Sequence, residues 1–430
     1  MNVLILSTQN PYLTSGIVAY NLYNGIKSKG HNAKVLIRYY GKYDEADFMS
    51  METRLDVVKE RIKTKFKRLM DRFPLLSNKV RTDPEYHVQD FDQTREYYST
   101  KKILRRINFK PDAIIYLFQQ NFLTAKNLFE LNKITGAPIY WFLMDTAPLT
   151  GLCHYSWDCT GFTKGCGSCP ALYSNIENDQ SAINFRYKHK YLSKTDIHII
   201  APTEWQSKKA IKSLLFKDKP IHKILLSIDS NVYDYIPKIQ GKKNLGIPAN
   251  KKVIFFGSTS VDHKRKGMKY LMEALHILKS DYYKISDNVL LLIAGNFESD
   301  TTFPFEFKNL GLLKNSEQIA AAYHAADVFV CPSIEDAGPM MINQSIMTGT
   351  PVVSFEMGVS EDLVLTAKTG YRAAVRNSID LAKGIDCVLS LTDDEHEKMC
   401  ETCRTFAIHN YTFNISTEKI IELMRRSLKL

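Results

Sequence analysis

The sequence predicts an α/β protein made of two doubly wound Rossmann-like domains facing a cleft. Short apolar runs alternate with helical segments in both halves of the 430-residue chain. NVLILST, DAIIYLF and PIYWFLM lie in the first half, and KKVIFFGS, VLLLIAG and DVFVCPS lie in the second. Such alternation is typical of parallel sheets covered on both faces. Ligands of these sheets bind beyond the carboxyl ends of the strands, so we expect the site in the cleft.

The two runs of alternating elements meet near Lys194 to Ile200, so we place the domain boundary after residue 196. The first domain then spans residues 1–196 and the second spans residues 197–411. The last segment, 412–430, has a helical pattern, and we expect this helix to pack back on the first domain.

The composition is that of a globular protein with anionic partners. Hydrophobic residues make up 44% and charged residues 24% of the chain, and the formal net charge is +11. This excess favours nucleic acid, acidic lipid or a phosphorylated ligand. The N-terminus lacks the pattern of a secretory signal, and no apolar run reaches the roughly 18 residues of a membrane span. We therefore expect a cytoplasmic protein with reduced thiols.

One segment, at about residues 54–73, has the pattern of a basic amphipathic helix. In RLDVVKERIKTKFKRLMDRF the apolar residues recur at steps of three and four, and the opposite face is rich in Lys and Arg. The helix could pack on the domain with a solvated charged face, or it could lie on an anionic membrane surface. Binding to nucleic acid is a third interpretation, although no aromatic residues are interleaved along the basic face.

Half of the eight cysteines lie in CHYSWDCTGFTKGCGSCP, at Cys153, Cys159, Cys166 and Cys169. Four thiolates could form the tetrahedral shell of a structural zinc. Buried reduced thiols that only pack the loop are the alternative, with His154 as a substitute ligand. A zinc ribbon would need two C-x2-C pairs, and this stretch contains one, which argues against a nucleic-acid-binding ribbon.

The segment CPSIEDAGPMMINQSIMTGTPVV is the most informative part of the chain. An acidic pair, Glu335 and Asp336, follows a buried strand, and a helix begins near Met340 after a small loop. The first amides of a helix are free to bind an anion. A carboxylate in this place suits a sugar hydroxyl beside a phosphate, whereas an ordinary N-cap role for Asp336 is the alternative.

The order of these features resembles the signature of retaining nucleotide-sugar glycosyltransferases with the GT-B fold and a Glu-x7-Glu motif. When Pro332-Ser333 and Gly349-Thr350-Pro351 are aligned with that signature, its two acids fall on Asp336 and Gln344. DAGP and the cysteine-rich stretch resemble the colanic-acid-type exopolysaccharide branch. Other segments that follow the family's order are SGIVAYNLYNGIKSKGHNAKVLI, APTEWQSKKAIKS and FFGSTSVDHKRKGMKYLMEAL.

The resemblance implies roles for the donor-binding residues. Lys266 would contact the donor diphosphate and stabilise the charge that develops on it, with Arg265 beside it. Asp336 would bind the transferred sugar, and Gln344 would bind the ribose hydroxyls without the charge of a glutamate. The other implied donor contacts are Gly16, Gly338, the amides of Met340 and Met341, and Glu361.

The first domain departs from the family's pattern. The usual His-Asp pair reads Met144-Asp145, and a methionine cannot supply the polar contact of a histidine. Asp145 is the remaining catalytic candidate, with a capping role as its alternative, and His154 is a second candidate. In the second domain, Gly257-Ser258 stands where the family has Gly-Arg.

The resemblance implies a retaining glycosyltransferase of the hexosyltransferase type. It would move a sugar from a UDP- or GDP-sugar to a polysaccharide or lipid-linked saccharide, in exopolysaccharide, capsule or O-antigen synthesis at the inner membrane face. No cofactor is expected for the transfer itself, and no nucleic acid is expected as a partner. The alternative is a catalytically weak relative that binds a nucleotide or a glycan, which Met144, Ser258 and Gln344 favour.

Overall fold

A computed structural model describes residues 1–12, 16–59, 62, 81–258, 263–281, 288–296 and 302–429. The chain divides into two compact units. Unit 1 contains Met1–Ala201, Ser207–Lys223 and Thr417–Leu430, and unit 2 contains Pro202–Gln206 and Ile224–Ser416. Each unit is a parallel sheet combined with helices, which confirms the predicted α/β class.

Unit 1 is built on a seven-stranded parallel sheet with the order β3-β2-β1-β4-β5-β6-β7. Its elements in chain order are β1 (Asn2–Ser7), α1 (Ile17–Ser28), β2 (Asn32–Ile37), β3 (Phe48–Ser50), α2 (Thr100–Ile107), β4 (Ala113–Tyr116), α3 (Ala125–Thr135), β5 (Ile139–Phe142), α4 (Gln180–Leu192), β6 (Ile197–Ala201), α5 (Glu204–Lys212) and β7 (Ile221–Lys223). The strand order reverses direction between β1 and β4. That reversal is the place where doubly wound sheets bind ligands.

Unit 2 is built on a six-stranded parallel sheet with the order β10-β9-β8-β11-β12-β13. Its elements are α6 (Lys238–Asn244), β8 (Lys252–Ser258), α7 (Met268–Asp281), β9 (Val289–Gly295), β10 (Glu306–Asn309), α8 (Ser316–Ala325), β11 (Val328–Cys331), α9 (Met340–Met347), β12 (Val352–Phe355), α10 (Ser360–Leu363), β13 (Gly370–Ala373), α11 (Ser378–Leu389) and α12 (Asp393–Asn410). Helix α13 (Phe413–Leu428) follows. The reversal of strand order in unit 2 lies between β8 and β11.

The apolar runs of the sequence are the buried strands of both sheets. All four residues of β4 and β5, and all seven of β9, are buried. Each fully buried large apolar side chain contributes about 1.5–3 kcal/mol relative to an exposed one, so burial on both faces favours these runs as central strands. The loops at the carboxyl ends of β5, β8 and β11 carry the candidate residues Asp145, Lys266 and Asp336.

The division between the units differs from the boundary predicted after residue 196. Strand β6 pairs with β5, with Ile139 opposite Ile197, and β7 pairs with β6. Residues 197–201 and 207–223 therefore belong to unit 1 and contribute two strands to its sheet, whereas the prediction assigned them to the second domain; Pro202–Gln206 belong to unit 2. Helix α13 belongs mostly to unit 1, since Thr417 and the residues after it are part of that unit.

Most of the predicted basic helix at 54–73 lies outside the described residues. Residues 54–59 are helical, and Leu55, Val58 and Ile62 are each more than half exposed. Residues 60–61 and 63–73 of that segment are not among those described. Within the described ranges, no helix has the length and apolar character needed to cross a membrane.

Candidate functional site

Asp336 is the centre of a charged cluster in unit 2. It lies in the loop between β11 and α9, and it is buried, with 8% of its surface exposed. Its Oδ2 atom accepts hydrogen bonds from Lys266 Nζ at 2.7 Å and from Arg265 Nη1 at 2.9 Å. Burial alone would raise the pKa of Asp336, but the two cations outweigh it and hold the pKa below its usual value. The structure thus joins three predicted residues into one ionised cluster.

Two glycines, one after the basic turn and one before α10, pack closely against the backbone of the acidic loop. Gly267 follows Lys266 with φ of +71°, and a Cβ atom there would lie 1.8 Å from the carbonyl oxygen of Pro332. Gly358 has φ of +58°, and its Cβ would lie 2.7 Å from the Asp336 carbonyl oxygen. Both positions combine the left-handed region with close backbone contact, which only glycine tolerates.

Helix α9 begins directly after this loop, as the sequence predicts. Pro339 is its N-cap residue, and no side chain caps the first turn, which begins with Met340 and Met341. The first amides of a helix are suited to an anion. The amide of Gly338, which the resemblance assigns to the donor, donates instead to Asp336 Oδ1 at 3.2 Å.

Gln344 is held between two tyrosines. Its Nε2 atom donates to the Tyr233 hydroxyl at 2.9 Å, and the Tyr323 hydroxyl lies 3.4 Å from its Oε1 atom. Tyr323 also donates to the Met341 carbonyl at 3.0 Å, which ties the network to the start of α9. No signal in the sequence marks these tyrosines, because they come from segments about 110 and 20 residues before Gln344.

Two other predicted donor contacts, Glu361 and Gly16, lie at the starts of helices, and both contacts stay predictions. Glu361 lies in the first turn of α10, and its carbonyl oxygen accepts a hydrogen bond from Arg372 Nη1 at 3.0 Å. Gly16 precedes α1 in unit 1, and a Cβ atom there would lie 1.7 Å from the Asn10 carbonyl oxygen. Glycine at position 16 is therefore required for close packing, and its donor contact stays a prediction.

In unit 1, Asp145 pairs with His154. Asp145 lies just after β5, and its Oδ2 atom is 2.8 Å from His154 Nδ1. Its Oδ1 atom accepts the Ala147 amide at 2.8 Å and so caps the turn that follows β5. Thr146 donates from its hydroxyl and its amide to the His154 carbonyl, at 2.7 and 3.1 Å, and so closes the loop between the two.

Lys188 braces the loop that carries this pair. It is buried on α4, and its Nζ atom donates to the carbonyls of Ala147 at 2.7 Å and Thr150 at 2.8 Å. Burial lowers the pKa of Lys188 to about 8. Its spacing from Ser181, Asn184 and Phe185 places it on the inward face of the helix. This spacing is a sequence signal that could have identified Lys188.

The four clustered cysteines line one small cavity, and none of them forms a disulfide. The amides of Gly151 and Gly161 donate to Cys166 Sγ at 3.3 Å and to Cys159 Sγ at 3.4 Å. Burial raises the pKa of Cys166 to about 12, which keeps that thiol protonated in the metal-free protein. In the described parts of the chain, no group of three or more His, Cys, Asp or Glu residues is placed to hold a metal ion. The predicted zinc site stays a prediction.

A stretch of unit 2 matches a known protein family. Residues 238–407 match the family model described as Glycosyl transferases group 1. An uncharacterized glycosyltransferase from Methanocaldococcus jannaschii is 24% identical over 239 residues, which cover 52% of this chain and 57% of that protein. The chain matches 39–57% of the length of its curated relatives.

Solved structures resemble the chain over its full length. Sucrose-phosphate synthase from Thermosynechococcus elongatus superposes with a TM-score of 0.67 at 12% identity, covering 100% of this chain and 99% of that one. HepE from Anabaena, solved in complex with UDP, gives a TM-score of 0.62 at 15% identity and covers 99% and 100%. At these identities the likeness shows the fold, and it confirms the two α/β domains of the GT-B architecture.

Proposed function

We propose that this protein is a retaining glycosyltransferase that moves a hexose from a nucleotide-diphosphate donor to a saccharide acceptor. The observation that carries the proposal is the charged cluster of Asp336, Lys266 and Arg265 beside the uncapped start of α9. It lies inside the stretch that matches the glycosyltransferase family. Two cations and free helix amides suit a diphosphate, and a carboxylate suits the hydroxyls of a sugar.

In the proposed reaction, the bond between the sugar C1 and the donor phosphate oxygen breaks as C1 bonds to the acceptor oxygen on the same face. The acceptor's proton passes to the departing phosphate oxygen. Lys266 and Arg265 stabilise the negative charge that grows on the diphosphate as the first bond breaks. When the phosphates engage these cations, Asp336 is released from part of its pairing and can accept a hydrogen bond from the sugar.

The nucleotide ribose is proposed to bind at Gln344. An amide can accept from one ribose hydroxyl and donate to the other, whereas a carboxylate only accepts. The contacts with Tyr233 and Tyr323 keep the amide in one orientation. UDP is the nucleotide bound in the HepE structure, and UDP-sugars are therefore the first donors to test.

The direct test is turnover. Purified protein is incubated with UDP- and GDP-sugars, with and without a panel of p-nitrophenyl hexosides, and free nucleotide and glycosylated product are measured. We expect nucleotide release that increases with a suitable acceptor, and a product with the donor's anomeric configuration. An inverted product would contradict the retaining mechanism. Nucleotide binding without any turnover would instead support the role of a catalytically weak binding relative.

The acceptor is proposed to be a polysaccharide or a lipid-linked saccharide of exopolysaccharide, capsule or O-antigen synthesis, reached from the cytoplasmic face of the membrane. The basic pattern of residues 54–73 and the exposure of Leu55, Val58 and Ile62 support a membrane contact. Co-sedimentation with vesicles that contain 30% anionic lipid should exceed that with neutral vesicles. Equal sedimentation with both would remove the membrane from the proposal.

A structural zinc at Cys153, Cys159, Cys166 and Cys169 is a separate proposal. It is supported by the shared cavity and by the two amides that donate to sulfur, as amides do around metal-bound thiolates. Metal analysis of protein purified without chelator should give one zinc per chain, and Cys166→Ser should abolish it. A metal-free protein with unchanged stability would show that the thiols only pack the loop.

A further inference from the structure

We infer that His154 is an acceptor-binding residue whose Nε2 atom accepts a hydrogen bond from a hydroxyl of the acceptor saccharide, with Asp145 as its positioning partner. The inference deepens the proposed function and rests on it. It begins from the contact between His154 Nδ1 and Asp145 Oδ2 at 2.8 Å. The pair joins two residues that lie nine positions apart in the sequence.

The contact fixes the tautomer of the histidine. A carboxylate can only accept, so Nδ1 carries the hydrogen and donates it to Asp145. Gln120 Nε2 also donates to Asp145 Oδ2, at 3.3 Å, and helps to hold the carboxylate in place. In the neutral ring, Nε2 then carries the lone pair and acts as an acceptor.

The rest of His154 is already bonded. Its amide donates to the Tyr86 carbonyl at 3.0 Å, and its own carbonyl accepts from Thr146. In the described chain, Nε2 has no hydrogen-bond partner, yet it is not one of the fully buried unpaired atoms. Only 5% of the His154 side chain is exposed, and Nε2 belongs to this exposed part. The contacts around the ring hold this acceptor atom rigidly.

The position of the pair is that of a ligand site. Asp145 follows β5 and Gln120 follows β4, and these strands lie at and beside the reversal of strand order in unit 1. Gln120 is itself 8% exposed, and its Oε1 atom is buried without a partner. Unpaired buried polar atoms are rare in folded proteins and call for an explanation, which a ligand or water at this edge would supply.

The chemistry favours a hydroxyl over a phosphate. A neutral lone pair accepts well from a sugar hydroxyl, whereas the adjacent Asp145 would repel an anion.

Met144, directly before Asp145, has no useful polar group. The closure of the loop by Thr146 brings a histidine to the aspartate from further along the chain.

The test uses two substitutions that separate the ring nitrogens. His154→Asn keeps an amide near the Nδ1 position to donate to Asp145, but it has no atom near Nε2. His154→Gln reaches the Nε2 position with its longer side chain. His276→Asn, at an exposed residue of α7, is the matched control. The full-length variants are assayed for UDP-glucose hydrolysis without acceptor and for transfer to p-nitrophenyl hexosides.

We expect His154→Asn to raise the acceptor KM about tenfold, the effect of one good hydrogen bond, while hydrolysis and donor KM stay unchanged. His154→Gln should recover part of the loss, and the unfolding temperatures should not follow the order of the KM values. An unchanged acceptor KM in both variants would overturn the inference. A parallel loss of hydrolysis would do the same, because it would place His154 on the donor.

Failure of the proposed function can be distinguished from failure of the His154 assignment. If wild-type protein turns over no donor, calorimetric titration with the p-nitrophenyl hexosides decides the assignment by itself. Binding that is about tenfold weaker in His154→Asn than in the wild type would support it. Equal binding by both proteins, or no binding by the wild type, would overturn it.

Discussion

Each unit presents an aspartate after a buried central strand, and the two aspartates have opposite surroundings. Asp336 in unit 2 faces a lysine and an arginine at 2.7 and 2.9 Å. Asp145 in unit 1 faces a histidine at 2.8 Å and a glutamine at 3.3 Å. The sheets have similar parallel topology, so the fold accounts for the placement of each acid and the neighbouring loop determines its chemistry.

The different surroundings of the two aspartates suit two different ligands, a phosphate and a hydroxyl. Paired cations beside a helix start suit the phosphates of a nucleotide donor, and their own binding of Asp336 keeps the cluster formed in the donor-free protein. A fixed histidine with a free lone pair suits a neutral hydroxyl. We therefore expect changes in unit 2 to act on the donor and changes around Asp145 to act on the acceptor.

The largest expected effect concerns the charged cluster around Asp336 and tests whether it binds the donor. Lys266→Ala should lower the rate of transfer at least about a hundredfold, and as much as a thousandfold, because a fixed cation facing the leaving diphosphate is lost. Lys269→Ala, at a largely exposed lysine of the same segment, is the control and should leave transfer unchanged. Steady-state rates with UDP-glucose measure the effect, and far-UV circular dichroism checks the fold. A rate near that of the wild type would show that the diphosphate binds elsewhere.

The second prediction concerns Lys188, the buried lysine that braces the loop after β5 in unit 1. Burial lowers the pKa of Lys188 from 10.5 to about 8, so the unfolded chain binds this proton more tightly than the folded protein does. The resulting loss of stability is complete below pH 8 and disappears as the pH rises to about 10.5. The unfolding free energy of the wild type should therefore increase relative to Lys188→Met over this range, by about 3 kcal/mol.

Urea denaturation at several pH values measures this difference, and Lys190→Met, at an exposed lysine of the same helix, serves as the control. A difference that does not change with pH would mean that the Lys188 ammonium keeps an ordinary pKa in the folded protein.

The smallest expected effect concerns the ribose end of the donor site. Gln344→Glu should lower the donor KM severalfold at unchanged kcat, because a charged acceptor forms stronger hydrogen bonds with a diol. The Tyr233 hydroxyl, which accepts from the Gln344 amide, can donate to the new carboxylate instead, so the fold should accept it. Gln318→Glu, at an exposed position of α8, controls for the added charge. An unchanged donor KM would remove Gln344 from the ribose contact.

The sequence predicted the fold class, since the apolar runs are the strands of both sheets. Resemblance to a family singled out Lys266 and Asp336, which the structure brings into contact, because their motifs are local; their roles in transfer stay predictions. The sequence did not predict that β6 and β7 join the first sheet, because that depends on pairing with β5, more than fifty residues earlier for β6. The Asp145–His154 pair was also missed. It forms through the hydrogen bonds of Thr146, which close the loop only in the folded chain.

The division of the chain has a consequence for synthesis on the ribosome. Unit 2 has all its residues once Ser416 is made, whereas unit 1 still lacks the larger part of α13, whose Ile420, Ile421 and Met424 are almost completely buried. Unit 1, whose synthesis begins first, is therefore completed last. Until α13 emerges, the part of the unit 1 surface that it covers is exposed to chaperones, and a nascent chain stalled before residue 417 would carry a complete unit 2 beside an unfinished unit 1.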